Sequence, residues 1–183
     1  MNIIEIIAVL FTLLAVILTV KDNILCWPFG IVGVIFYSVI FYNHNLLGDL
    51  VLQGVFLVQS ILGWVNWRKP KEELPISWLS KKQLGYLVNG SVVLYMITFC
   101  LTSKFGGNMP FLDSAVMTLS VMATFLLVKK KIEAWIIWII NDILLIVLFS
   151  LNGLDVSSYV YGLFLILASI GLWKWIKTSQ SRD

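Results

Sequence analysis

Ala134-Trp135-Ile136-Ile137-Trp138-Ile139-Ile140-Asn141-Asp142-Ile143-Leu144-Leu145-Ile146-Val147-Leu148-Phe149-Ser150-Leu151 holds one ionisable side chain, Asp142, in a run that is otherwise almost wholly apolar. Wound as a helix it is apolar around nearly its whole circumference, the pattern of a deeply buried or membrane-spanning segment rather than of a surface helix. Its length matches the roughly 20 residues that cross a hydrocarbon core. A carboxylate at mid-span costs on the order of 2.5–3.5 kcal/mol on insertion scales, so Asp142 marks a place where something compensates.

Working outward, six further runs of the same kind are found, and spans are predicted at 3–20, 24–42, 50–67, 84–101, 112–128, 134–151 and 157–175. The whole chain is 60% apolar and 13% charged, against about 25% charged in soluble domains. Composition therefore predicts an all-α integral membrane protein embedded in a lipid bilayer. The N-terminal run lacks the basic leader and small-residue cleavage site of a signal peptide, carries Glu5, and reads as the first span. The two cysteines, Cys26 and Cys100, have no metal or redox spacing and read as thiols.

The net charge of +3 sits between apolar runs rather than on a soluble basic face, which argues against nucleic acid as a partner. Lys21, Arg68, Lys69, Lys71, Lys81, Lys82, Lys129, Lys130, Lys131, Lys174, Lys177 and Arg182 fall on one side of the predicted topology and Lys104 alone on the other. By the positive-inside rule the N-terminus is outside and the C-terminus cytoplasmic.

A shift of 109 residues lays spans one to three on spans five to seven, matching Lys21 with Lys130, Ile31 with Ile140, Asn43 with Asn152, Ser60 with Ser169, Trp64 with Trp173 and Arg68 with Lys177. A single helix joins the two sets, so both insert in the same sense. The expected organisation is a 3+1+3 parallel repeat of the SWEET type: a first repeat over 3–67, a linker helix at 84–101, a second repeat over 112–175 and a cytoplasmic tail at 176–183. Solute sites in such proteins form at repeat interfaces near mid-membrane.

At 100° per residue Trp135, Trp138 and Asp142 share about 60° of arc on span six. Two indole faces and a carboxylate in one stripe suit a flat cation, each cation–π contact contributing roughly 0.5–2 kcal/mol, with Asn141 as a neighbouring hydrogen-bonding group. The other reading makes the tryptophans interfacial belt residues and Asp142 a protonated structural hydrogen-bonder. On span three Gln53, Ser60, Trp64 and Trp67 share a face; Gln53 could reach a solute, while Trp64 and Trp67 read as belt anchors. In span seven Ser158, Tyr159 and Ser169 form a polar stripe with Tyr159 as a candidate wall residue. Asp113 reads as a helix-start residue and His44 as a solvated turn. The chain has no phosphate loop, no HExxH, no CxxC and no GxSxG, so no cofactor or metal is called for and the protein reads as a non-enzyme.

Leu50 to Gln53, Gly63-Trp64-Val65-Asn66-Trp67, Phe111-Leu112-Asp113-Ser114, and Glu133 to Trp138 with Asn141-Asp142 together resemble the PnuC family of bacterial vitamin transporters. The resemblance runs over nearly the whole chain. It implies a homotrimer in the bacterial inner membrane that passes nicotinamide riboside by facilitated diffusion, trapped inside by phosphorylation, with Gln53, Trp135, Trp138, position 142 and Tyr159 at the site. Two departures stand out: seven spans without the extra N-terminal helix of many members, and Asp at 142 where Asn is the pattern. Thiamine is the alternative cationic solute; a sugar channel or a membrane-embedded enzyme fits the residues less well.

Overall fold

The computed structural model describes residues 3–44, 46–70, 72–105, 109–151 and 155–181. Asn152 of the repeat comparison, and Lys71 and Arg182 of the charge pattern, lie outside the described residues. Among the described residues the chain is all-helical, with seven helices long and apolar enough to cross a membrane. The chain divides into two compact units, Met1–Pro75 and Ile76–Asp183.

The first unit contains α1 (Ile3–Val20), α2 (Cys26–Asn43) and α3 (Leu47–Trp67), with α2 packed on both α1 and α3. Small side chains set these distances. A Cβ on Gly33 would lie 2.8 Å from Thr12 Oγ1, so α1 and α2 touch at backbone range, the close approach that packs helices in lipid. At the other interface a Cβ on Gly63 would overlap the Trp27 ring at 2.4 Å, and the same indole meets Trp67 edge-on at 5.3 Å and 89°. Thr12 and Thr19 donate their hydroxyls to the carbonyls of Ala8 and Ala15 one turn back, so neither brings an unsatisfied polar atom into the span.

The second unit contains α4 (Lys81–Phe105), α5 (Pro110–Val128), α6 (Glu133–Leu151) and α7 (Asp155–Gln180), packed in chain order. Hydroxyls join α4 to α5: Thr98 Oγ1 lies 3.0 Å from Thr118 Oγ1 and 3.3 Å from the Ser114 carbonyl, and Thr102 Oγ1 lies 2.7 Å from Ser114 Oγ. Ser114 Oγ also donates to the Pro110 carbonyl. Such interhelical bonds contribute about 0.6 kcal/mol each in membrane proteins. The α6–α7 contact repeats the first unit: Trp135 meets Trp175 edge-on at 5.5 Å and 87°, and a Cβ on Gly171 would lie 2.7 Å from the Trp135 ring.

These recurring contacts are separated by 108 positions (Trp27 and Trp135, Gly63 and Gly171, Trp67 and Trp175), one fewer than the 109 taken from the sequence. The α1–α2 turn, with Lys21, Asp22 and Asn23 amides bonded to the Leu18 and Thr19 carbonyls, recurs at the same spacing as Lys129, Lys130 and Lys131 bonded to Leu126 and Leu127. Asp22 and Lys130 both take a left-handed φ, 52° and 50°. The 109 offset rests on matches of residue type, such as Lys21 with Lys130 and Trp64 with Trp173, and runs of like residues tolerate a one-residue slip: Lys21 matches Lys129 as well as Lys130. The buried rings and their glycines admit one register.

The segment before α4 is not an open loop. Ser77 forms a parallel bridge with Lys131, its amide donating to the Lys130 carbonyl and its carbonyl accepting from Ile132 N–H. Glu133 Oε1 accepts from Leu79 N–H at 2.8 Å, and Lys131 Nζ donates to Ser77 Oγ at 2.7 Å. Ile76 and Ile132 are buried there.

Candidate functional site

The buried residues of α6 are Ala134, Trp135, Asn141, Asp142 and Leu145, which at 100° per residue define one inward arc. Trp138 lies at the centre of that arc and yet is only half-buried. Its ring is the part of that arc which neighbouring side chains do not fully cover.

Around it the polar groups are withdrawn from solvent. Asn141 is fully buried and donates from Nδ2 to Ser120 Oγ on α5 at 2.9 Å, while its Oδ1 has no hydrogen-bond partner among the described residues. An unpaired buried acceptor costs about 1–3 kcal/mol, and such a group is suited to receive a donor from a bound molecule. Asp142, one residue on, is 3% exposed. Ser120 was not singled out in the sequence; its signal was a hydroxyl row, Ser114, Thr118, Ser120 and Thr124, inside an apolar span.

The other candidates are placed differently. Trp135 is enclosed between Trp175 and Gly171, so its ring is committed to the α6–α7 contact. Gln53 is buried on α3 of the first unit, with Ser60, Gly63 and Trp67 on the same helix face. Tyr159 is 76% exposed and heads a row of exposed α7 residues with Leu163, Ile166, Ile170 and Trp173; within the second unit it is not gathered with Trp138. Trp67, expected as a belt anchor, is buried edge-on against Trp27, whose own ring Gly63 admits between α2 and α3. Trp64 does stand at the surface, with the Arg68 guanidinium 4.8 Å from its ring centre.

Two helix-end readings have direct counterparts. Asp113 accepts from Met109 N–H at 3.3 Å across the first turn of α5, and exposed His44 lies 2.9 Å through Nδ1 from the Ile40 carbonyl at the end of α2. Ser158 Oγ reaches back to α6, 3.1 Å from Ser150 Oγ, and Ser169 bonds its own helix at Leu165.

Helices of membrane length with an accessible indole beside a buried amide and carboxylate at mid-span define a multi-pass membrane protein built to pass a small solute. The chain belongs to the family described as nicotinamide mononucleotide transporter, whose model matches residues 2–177. It is 27% identical over 208 residues to the nicotinamide riboside transporter PnuC of Escherichia coli (strain K12), covering 98% of this chain and 87% of that one. It is 20% identical over 162 residues to the riboflavin/roseoflavin transporter RibM of Streptomyces davaonensis, covering 85% and 76%. In fold it matches the crystal structure of the vitamin B3 transporter PnuC with a TM-score of 0.79 at 23% identity, over 97% of this chain and 82% of that one.

Proposed function

We propose that the chain carries nicotinamide riboside across the bacterial inner membrane by facilitated diffusion, with phosphorylation inside the cell trapping the solute. One observation carries the choice of site: Trp138 remains accessible in the middle of the buried arc of α6, beside Asn141 and Asp142. The indole face accepts a flat pyridinium, Asp142 compensates its positive charge, and the unpaired end of the Asn141 amide receives a ribose hydroxyl. Relatives named for nicotinamide riboside support the solute. Trp135 serves this site by fixing α6 against α7. Gln53 and Tyr159 stay candidates on their own helices, and unchanged solute binding after alanine substitution would remove either.

The proposed architecture is the 3+1+3 parallel, SWEET-like repeat with the halves at 3–67 and 112–175, the linker helix at 84–101 and the tail at 176–183. The contacts that recur at 108 positions support it. The chain works as a homotrimer, following the family resemblance, with its N-terminus outside and its C-terminus cytoplasmic, following the Lys and Arg distribution.

Uptake of radiolabelled nicotinamide riboside into proteoliposomes without an energy source tests the reading. Internal solute should rise to the external concentration, stay insensitive to collapse of a proton gradient, and be inhibited weakly by thiamine and riboflavin. Accumulation above equilibrium without a kinase would exclude passive transport, and stronger inhibition by thiamine or riboflavin would reassign the solute.

A further inference from the structure

At one end of the second unit, exposed cations lie over exposed aromatic rings on three different helices. Lys82 Nζ is 6.0 Å from the Tyr86 ring centre on α4, Lys129 Nζ is 4.4 Å from Phe125 on α5, and Lys177 Nζ is 5.5 Å from Trp173 on α7. The three sites share an end because Ser77, just before α4, is bonded to the α5–α6 turn, and Trp135 in the first turn of α6 meets Trp175 near the end of α7. Each ring lies one turn inward from its cation along its helix. The order is aromatic then basic on α5 and α7, and basic then aromatic on α4, which runs the other way. Arg68 over Trp64 on α3 repeats the pairing in the first unit.

No carboxylate among the described residues pairs with Lys82, Lys129 or Lys177. The ring faces attract the ammonium groups, but a quadrupole does not replace a counter-ion, and the outward hydrogens of each ammonium are left for one. On the inward side the surface is apolar: Tyr86 is followed along its face by exposed Val93 and Ile97, and Trp173 is preceded by exposed Ile166 and Ile170. A cation at the membrane surface, an amphipathic ring beneath it and an exposed aliphatic row beneath that match, in order, a phosphodiester, a glycerol backbone and an acyl chain.

We propose that these three cation–aromatic pairs are binding positions for anionic phospholipid headgroups. The rings hold the ammonium groups at headgroup depth, so the protein is stabilised by anionic lipid rather than by bilayer thickness alone. Each basic residue near a charged surface contributes about 1 kcal/mol, so losing its lysine weakens lipid binding at each position about fivefold.

The experiment titrates phosphatidylglycerol into the purified, detergent-solubilised protein, reading the midpoint of thermal unfolding and the lipid retained in native mass spectra. The wild type should gain stability and retain phosphatidylglycerol, with little response to phosphatidylcholine. Lys82→Gln/Lys129→Gln/Lys177→Gln should unfold at the wild-type midpoint without lipid and lose the response, while the matching triple Arg variant keeps it. Lys69→Gln/Lys81→Gln/Lys174→Gln removes the same net charge from exposed lysines of the same predicted side that lie over no ring among the described residues, and should respond as wild type. Equal loss in this control would reduce the effect to bulk charge and overturn the proposal. So would an undiminished response in the first triple variant, equal stabilisation by phosphatidylcholine, or equal stabilisation by inorganic phosphate, which would indicate a soluble anion.

Discussion

Trp138 and Asp142 lie one helical turn apart on α6, and their separate contributions can be measured. Trp138→Ala removes a ring face that contributes about 1–2 kcal/mol to holding a desolvated cation, so nicotinamide riboside affinity should fall about 5- to 30-fold in calorimetry with the unfolding midpoint nearly unchanged. Asp142→Asn keeps the shape and removes the charge. Binding of the cationic riboside should weaken more than binding of its uncharged dihydro form. Equal loss for both would make Asp142 a neutral hydrogen-bonder and leave recognition to the indole. The stripe that holds these residues was legible from spacing alone, since helical periodicity sets angles. What lies opposite each residue was not: Trp135 shares the stripe, but its ring is taken up by Trp175 and Gly171 from a helix far along the chain.

Between elements, glycines and short straps determine the packing, and sequence spacing describes these least well. Gly171→Ala forces a Cβ to within 2.7 Å of the Trp135 ring, and overpacking of this kind costs about 1–3 kcal/mol. Its thermal midpoint in detergent should drop. Gly162→Ala on the same helix has nothing within 4 Å of the new Cβ and should match or slightly exceed wild type; an equal drop in both would refute the steric explanation. The strap before α4 invites a second test. Glu133→Ala leaves Leu79 N–H without its acceptor, a loss of about 1–3 kcal/mol, so amide exchange at Leu79 should accelerate while exchange within α5 does not. Helix cores followed from apolar runs, and α1 spans 3–20 as expected. Helix ends extended further wherever a polar motif continues the helix beyond the apolar run. Ser80 and Gln83 form reciprocal bonds that start α4 at Lys81 rather than at residue 84, a capping box present in the sequence as Ser-Lys-Lys-Gln.

At the scale of the whole molecule, orientation rests on charge, since twelve of the thirteen Lys and Arg residues fall on one side of the predicted topology. The positive-inside rule applies with force here because the loops are short. Single cysteines placed in a Cys26→Ser/Cys100→Ser background read the orientation directly, and the structure selects the probes. Lys130 is 4% exposed, so a cysteine there would resist labelling whichever side it faced. Lys129, Ser80 and His44 are exposed and suitable. In intact cells an impermeant maleimide should label His44→Cys and spare Lys129→Cys and Ser80→Cys, and permeabilisation should expose the latter two. The reverse pattern would invert the orientation, and labelling of Lys129→Cys and Ser80→Cys on opposite sides would break the span count between them. The bonded strap joining Ser77 to the α5–α6 turn requires those two positions to share a side, so the experiment tests the orientation by sequence charge and the fold by hydrogen bonding independently.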